Sequence, residues 1–215
     1  VESAAYHVPP GTLQPALYRT FRGEKKGPLK RARKLPQRLS REEITSLLAQ
    51  PNRRYPTGIR DRALIRLCVR TGLRCAEALA LRPRDLVLPR HEVRVNAGKG
   101  DKDRIVWMDE TTVEYLARWR DVRPAGEFFF CTLKGTPMRD RDVRAMMARR
   151  GIKAGISIPV HPHLLRHTFA STFLEDGGTE VELQALLGHS DPRTTRIYTH
   201  LANERLRQLL IDRPG

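Results

Sequence analysis

A chain of 215 residues has room for one full domain with a tail, or for two small ones, and a hydrophobic content of 40% suffices for a buried core. Lys and Arg number 40 against 24 Asp and Glu, a net charge of +16 and a pI near 10.7, which favours a polyanionic partner because each neutralised phosphate releases condensed counterions. Nucleic acid is therefore the leading partner; a membrane surface is set back by the lack of a long apolar run or a basic amphipathic segment with an aromatic anchor, and Cys68, Cys75 and Cys131, with no C-x-x-C spacing, argue for reduced thiols and against disulfides or zinc.

Residues 1–39 differ from the rest. They carry Pro9, Pro10, Pro15, Pro28 and Pro36 and no sustained apolar period. Between Arg19 and Arg41 stand ten Lys or Arg and a single acid, Glu24. Such a stretch is either a solvated linker or a basic strap that orders on a polyanion, and a disordered arm can be both. No signal peptide is visible, so the cytoplasm or nucleoid is the expected location, and the N-terminal Val reads as the start of a fragment.

The domain proper is expected over 40–215. Ser40-Arg41-Glu42-Glu43 has the form of a capping box, followed by Ile44, Leu47 and Leu48 at helical spacing. A second helix is predicted from about Ile59, with Ala63, Leu64, Leu67 and Cys68 inward, ending at Gly72. A third runs from near Arg74 to Pro83. Glu92–Val95 and Arg104–Trp107 then read as the two strands of a hairpin around Gly98-Lys99-Gly100-Asp101. Helices follow over Thr112–Arg120, Asp140–Lys153, Pro162–Glu175 and Glu180–Leu187, with a weaker one after Asn203. The fold class is mainly α with one small antiparallel sheet (α+β).

Four segments carry side chains suited to chemistry. In Thr71-Gly72-Leu73-Arg74-Cys75-Ala76-Glu77, Arg74 opens a helix and Glu77 at i+3 can orient it; the bland alternative is a surface ion pair worth about 0.2–0.5 kcal/mol. Lys99 sits at a glycine-flanked hairpin tip, where any soluble turn also carries charge. In His161-Pro162-His163-Leu164-Leu165-Arg166-His167, His163 and Arg166 share a helix face. The His163/His167 spacing alone would permit a metal, but the Glu of H-E-x-x-H is missing. The last segment runs from Leu186-Leu187-Gly188-His189-Ser190 to Tyr198; a lone Tyr near a helix end is usually a packing residue. Together these are two arginines, a lysine, two histidines and a tyrosine, with no carboxylate cluster for a metal. Metal-free phosphoryl transfer needs that set: guanidiniums for charge on the non-bridging oxygens, a base for the phenol and an acid for the leaving alkoxide.

The order T-G-L-R-x-x-E, G-K-G, H-x-L-R-H and L-G-H, with a Tyr nine residues after that His, resembles the tyrosine recombinase (phage integrase) family and its Xer-like bacterial branch, over roughly Leu39 to Leu210. The resemblance implies the catalytic-domain fold of DNA breaking-rejoining enzymes and site-specific recombination through a 3′-phosphotyrosyl intermediate. By position, Arg74 and Arg166 resemble the arginines that clamp the scissile phosphate. Lys99 resembles the general acid, with Lys102 close enough to leave that assignment open. His163 resembles the residue assisting proton transfer at the tyrosine, His189 the one that hydrogen-bonds a phosphate oxygen, and Tyr198 the nucleophile. His161, His167 and His200 are read as structural or as contacts to the DNA backbone. Neither ATP nor a metal ion is implied as a cofactor.

Family members usually carry a separate helical DNA-binding domain first, and residues 1–39 are too short and polar to form one. The chain is then expected to be a fragment whose basic stretch is the interdomain linker, or a one-domain recombinase like the fimbrial-switch invertases. Leu206, Leu209 and Leu210 line one side of a short tail from about Asn203. The resemblance implies that it docks on a neighbour in a homo-tetramer on two double-stranded DNA sites; the alternative is that it folds back on its own domain in a monomeric fragment. The competing functions are type IB topoisomerase-like relaxation and a non-catalytic DNA-binding module. Deleting residues 1–39 is expected to weaken DNA affinity and flatten its salt dependence, read by fluorescence anisotropy across a salt series. An unchanged slope would leave the stretch a linker only.

Overall fold

The computed structural model describes residues 37–96 and 103–188, together with Arg207, Leu210 and Ile211. Over these residues it is mostly helical with one small antiparallel sheet. Lys99, Lys102, His189, Tyr198, His200, Leu206 and Leu209, and nearly all of the basic N-terminal stretch, lie outside the described residues.

Helix α1 (Arg41–Ala49) opens on the expected capping box: Ser40 Oγ accepts from the Glu43 N–H at 3.2 Å and Glu43 Oε2 from the Ser40 N–H at 2.8 Å. Ahead of it, Leu39 is buried and its N–H donates to Thr168 Oγ1 at 3.1 Å.

Helix α2 spans Pro56–Thr71, starting three residues before Ile59. Pro56-Thr57-Gly58 shows no apolar period, but a proline fits the first turn, where its missing N–H would have had no partner. The helix packs on α4 (Glu110–Val122) and α6 (Pro162–Glu175) and is buried on almost every side. Three of its four arginines are paired with carboxylates, and Arg62 stacks on Tyr115 and donates to its hydroxyl. Arg66 and Arg70 both reach Asp109 Oδ2, at 2.8 and 2.6 Å, and Arg150 of α5 (Asp140–Lys153) joins Arg60 on Asp61. A guanidinium loses its hydration on burial, so it is tolerated only with such a partner.

Helix α3 is shorter than expected, Cys75–Ala80, and Pro83–Asp85 forms a 3₁₀ turn. The sheet has three strands: β1 (Leu86–Val87), β2 (Glu92–Val95) and β3 (Arg104–Trp107), antiparallel in that order. β2 and β3 lie where their composition puts them, with Val93 opposite Val106. A strand of two residues cannot show alternation, which is why β1 is invisible in the sequence. Helix α4 starts two residues before Thr112 because Asp109 is its N-cap, accepting from the Thr112 N–H at 2.7 Å. Helices α5, α6 and α7 (Glu180–Leu187) match the predicted bounds.

One core collects Leu64, Leu67, Trp119, Phe129, Phe169, Leu186 and Leu187, and it includes Leu210 of the tail, which is 2% exposed in the single chain. Cys68, Cys75 and Cys131 are free, buried thiols; burial pushes Cys68 up to about 12 and raises Cys75 as well. No helix among the described residues is long and apolar enough to cross a membrane.

Burial pushes the Asp109 carboxyl up, but Arg70, Thr112 and Arg66 outweigh it and hold it below its ordinary value. A depressed carboxyl stabilises the fold above its unfolded pKa, about 4, and that contribution disappears as pH falls through the lower, folded value. Asp109→Ala is expected to destabilise the domain by about 3–5 kcal/mol in urea titrations at pH 7, since it leaves Arg66 and Arg70 without their shared anion. The difference from the unsubstituted chain should shrink on acidification.

Candidate active site

The two arginines singled out in the sequence stand at one junction, where the C-terminal ends of α2 and α7 meet α3 and α6. Arg166, 7% exposed, donates from Nη1 to the Gly72 carbonyl at 2.7 Å and from Nη2 to the Leu187 carbonyl at 2.9 Å. Gly72 and Leu187 end α2 and α7, and the last carbonyls of a helix lack intrahelical donors and carry its negative pole. A buried cation answers both needs. It also holds the guanidinium between two fixed backbone points.

Gly72 makes the close approach possible. Its φ is 65°, and a Cβ there would lie 2.4 Å from Phe169 Cδ1 and 2.9 Å from Leu187 Cδ2. The turn brings Arg74 to the N-cap of α3, two residues past the carbonyl that Arg166 holds. Glu77 Oε2 accepts from the Arg74 N–H at 2.7 Å and Glu77 Oε1 from Arg74 Nη1 at 3.2 Å, the pairing expected from i+3 spacing. This is no ordinary surface pair. The Glu77 side chain is 11% exposed and also takes both Nη groups of Arg104, at 3.0 and 2.9 Å. Burial raises the Glu77 pKa, but the bonds from Arg104 and from the Arg74 backbone prevail and lower it. Glu77 is thus an anion, and Arg74, with 39% of its side chain exposed, remains open to solvent.

Arg104 was missed in the sequence, although a signal was present. In Arg104-Ile105-Val106-Trp107, alternation puts Arg104 on the face of Val106, which is fully buried, and Ile105 on the exposed one. A strand cation on the inward face needs a buried anion.

His163 lies one turn before Arg166 on α6 and is exposed; its ring meets His167 edge-on, with centroids 4.3 Å apart. His161 caps the same helix, its Nδ1 accepting from the Leu164 N–H at 3.1 Å, which makes that nitrogen the unprotonated one. Burial first, then His163 and nearby arginines, lower the pKa of both His161 and His167. Both are therefore mainly neutral near pH 7. Of the six sequence candidates, Arg74 and Arg166 thus meet at the α2–α3 turn, and His163 lies three residues before Arg166 on α6. Lys99, His189 and Tyr198 fall outside the described residues, but β3 resumes the chain soon after Lys99, and Leu187-Gly188 leads directly into His189.

A cleft of about 270 Å³ lies elsewhere, lined by Arg53, Ile59, Arg62, Tyr115, Arg118, Asp121 and Val122. It sits at the N-terminal end of α2, roughly 20 Å from Gly72 at 1.5 Å per residue, and contains none of the six residues singled out in the sequence.

A mostly helical scaffold with one small sheet, carrying two anchored arginines at one junction, defines a class as well as a shape. The family model for the phage integrase family matches residues 37–205, and the chain belongs to that family. It is 39% identical over 183 residues to tyrosine recombinase XerD of Ralstonia nicotianae, covering 82% of this chain and 59% of the relative. Against tyrosine recombinase XerD of Staphylococcus aureus the identity is 36% over 184 residues, 82% of this chain and 62% of the relative. The chain thus spans about three fifths of these curated relatives. Among solved structures, XerA recombinase superposes with a TM-score of 0.67 at 33% identity, over 85% of this chain and 67% of that one. The XerH site-specific recombinase bound to palindromic difH substrate, a post-cleavage complex, gives 0.63 at 31% identity, over 81% and 52%.

Gly72→Ala is expected to lower stability by about 1–2 kcal/mol for the left-handed backbone, with about 1–3 kcal/mol more for overpacking against Phe169. Thermal melts read both together. An unchanged midpoint would mean that Phe169 and Leu187 yield freely.

Proposed function

We propose that this chain is the catalytic portion of a site-specific recombinase that cleaves and rejoins double-stranded DNA through a 3′-phosphotyrosyl link at Tyr198. The observation that carries the reading is the locked Arg166, bonded to the ends of α2 and α7 beside an Arg74 oriented by Glu77. Preorganised guanidiniums stabilise charge that develops on a phosphate without reorganising as it forms. The XerD relatives and the DNA-bound XerH structure support the same reading.

In the proposed reaction Arg74 and Arg166 donate to the non-bridging oxygens, and His189 adds a hydrogen bond to one of them. The Tyr198 oxygen attacks phosphorus as its proton leaves with help from His163. The bond to the 5′ oxygen breaks, and Lys99 supplies that oxygen's proton. Attack by a 5′ hydroxyl from a second duplex reverses the steps and releases Tyr198. One phosphoester replaces another, so the covalent link conserves what rejoining requires. Residues 1–39 serve as the basic linker to a preceding segment, and four copies act on two duplexes.

The test is to incubate the protein with fragments of the replicon that encodes it, trap covalent adducts, and map them by sequencing. Adducts at a defined site, joined to Tyr198, are expected. Tyr198→Phe should bind DNA and form none, whereas Arg74→Ala and Arg166→Ala should each slow cleavage by on the order of 10²–10³. Adducts from Tyr198→Phe would show another nucleophile. Relaxation of any plasmid irrespective of site would indicate topoisomerase-like action instead.

A further inference from the structure

Arg104 makes three bonds from a side chain only 8% exposed: Nη1 to Glu77 Oε1 at 3.0 Å, Nη2 to Glu77 Oε2 at 2.9 Å, and Nε to the Leu186 carbonyl at 2.8 Å. The two Nη bonds are the parallel fork that guanidinium and carboxylate form best. Each Glu77 oxygen thereby receives one donor from Arg104 and one from Arg74. The Nε bond falls on the residue before the carbonyl held by Arg166, so two arginines grip successive carbonyls at the end of α7. Gly188, at φ 69°, turns directly over the guanidinium; a Cβ there would lie 2.9 Å from Arg104 Nη1.

We propose that Arg104 is a positioning residue: it neutralises and orients Glu77 so that Arg74 stays available to the phosphate, and it anchors the end of α7 from which the chain runs to His189 and Tyr198. The inference rests on the recombinase reading above. Without Arg104, Glu77 would lose half of its donors, and its whole charge would be available to Arg74 in a closed, two-bond pair. The guanidinium would then be drawn from the phosphate, and the net charge of the Arg74, Glu77 and Arg104 group would fall from +1 to zero. Burial makes the shift larger than it would be in water. Arg104 sits on β3, so the same residue ties the hairpin strand to α3 and α7.

The experiment uses the full chain and a duplex of the mapped site carrying a nick beside the cleaved bond, with single-turnover rate constant, reacting fraction and DNA affinity measured separately. Arg104→Gln is expected to lower the rate constant by about 10–100-fold, as loss of an outer partner does to groups it orients, with DNA affinity unchanged. Arg104→Lys keeps the charge but not the fork and should fall between. The discriminating variant is the double, Glu77→Gln with Arg104→Gln: removing the uncompensated carboxylate should make it cleave faster than Arg104→Gln alone. A residue that only supports packing would lower the reacting fraction and melting temperature, and the two losses would add. A wild-type rate constant for Arg104→Gln, or a double variant slower than either single one, would overturn the inference. If Arg104→Gln does not fold, a wild-type rate constant for Arg104→Lys does so equally. Should the unsubstituted protein form no adduct, the recombinase reading falls and this inference with it; adducts from the unsubstituted chain with no Arg104 effect would sink this inference alone.

Discussion

A buried guanidinium between two helix ends is the constraint on which the site depends. Arg166 replaces its lost water with the carbonyls of Gly72 and Leu187, each at the negative pole of a helix. These bonds fix where α2 stops, where α7 stops, and how both lie on α6. Remove the cation and the Gly72 and Leu187 carbonyls lose the donors that join the two helix ends. The same bonds give the guanidinium a fixed orientation set by the fold alone.

The chain's positive charge is divided between two uses. Arg66, Arg70 and Arg104 are turned inward and held by Asp109, Glu77 or a backbone carbonyl. Such interior cations do not produce the attraction for a polyanion that the overall +16 suggests. That attraction comes from side chains facing solvent, Arg74 among them. Net charge therefore points to the class of partner, and burial decides which cations can meet it.

Glu77 shows how one carboxylate can be shared between architecture and chemistry. Its oxygens join α3 to β3 through Arg104 and aim Arg74 from the N-cap of its own helix. The arrangement is one in which proposed catalytic groups are held by partners that never touch the substrate. Gly72 and Gly188, both left-handed, let the backbone pass close enough for the network to form.

Local chemistry was readable in the residues themselves. The capping box at Ser40, the strands Glu92–Val95 and Arg104–Trp107, and the bounds of α5, α6 and α7 follow from caps, periodicity and turn residues, which act over a few positions. The candidate residues were picked by residue type and by the order in which their motifs resemble a known family, and three of the six, Arg74, His163 and Arg166, fall among the described residues. What lay beyond the sequence was every relation between distant segments: the Arg166 bonds that span 94 and 21 positions, the Arg104 fork that spans 27, and the two-residue β1 that exists only because β2 pairs with it. Only folding brings such partners together, because no local rule states which buried charge will meet which.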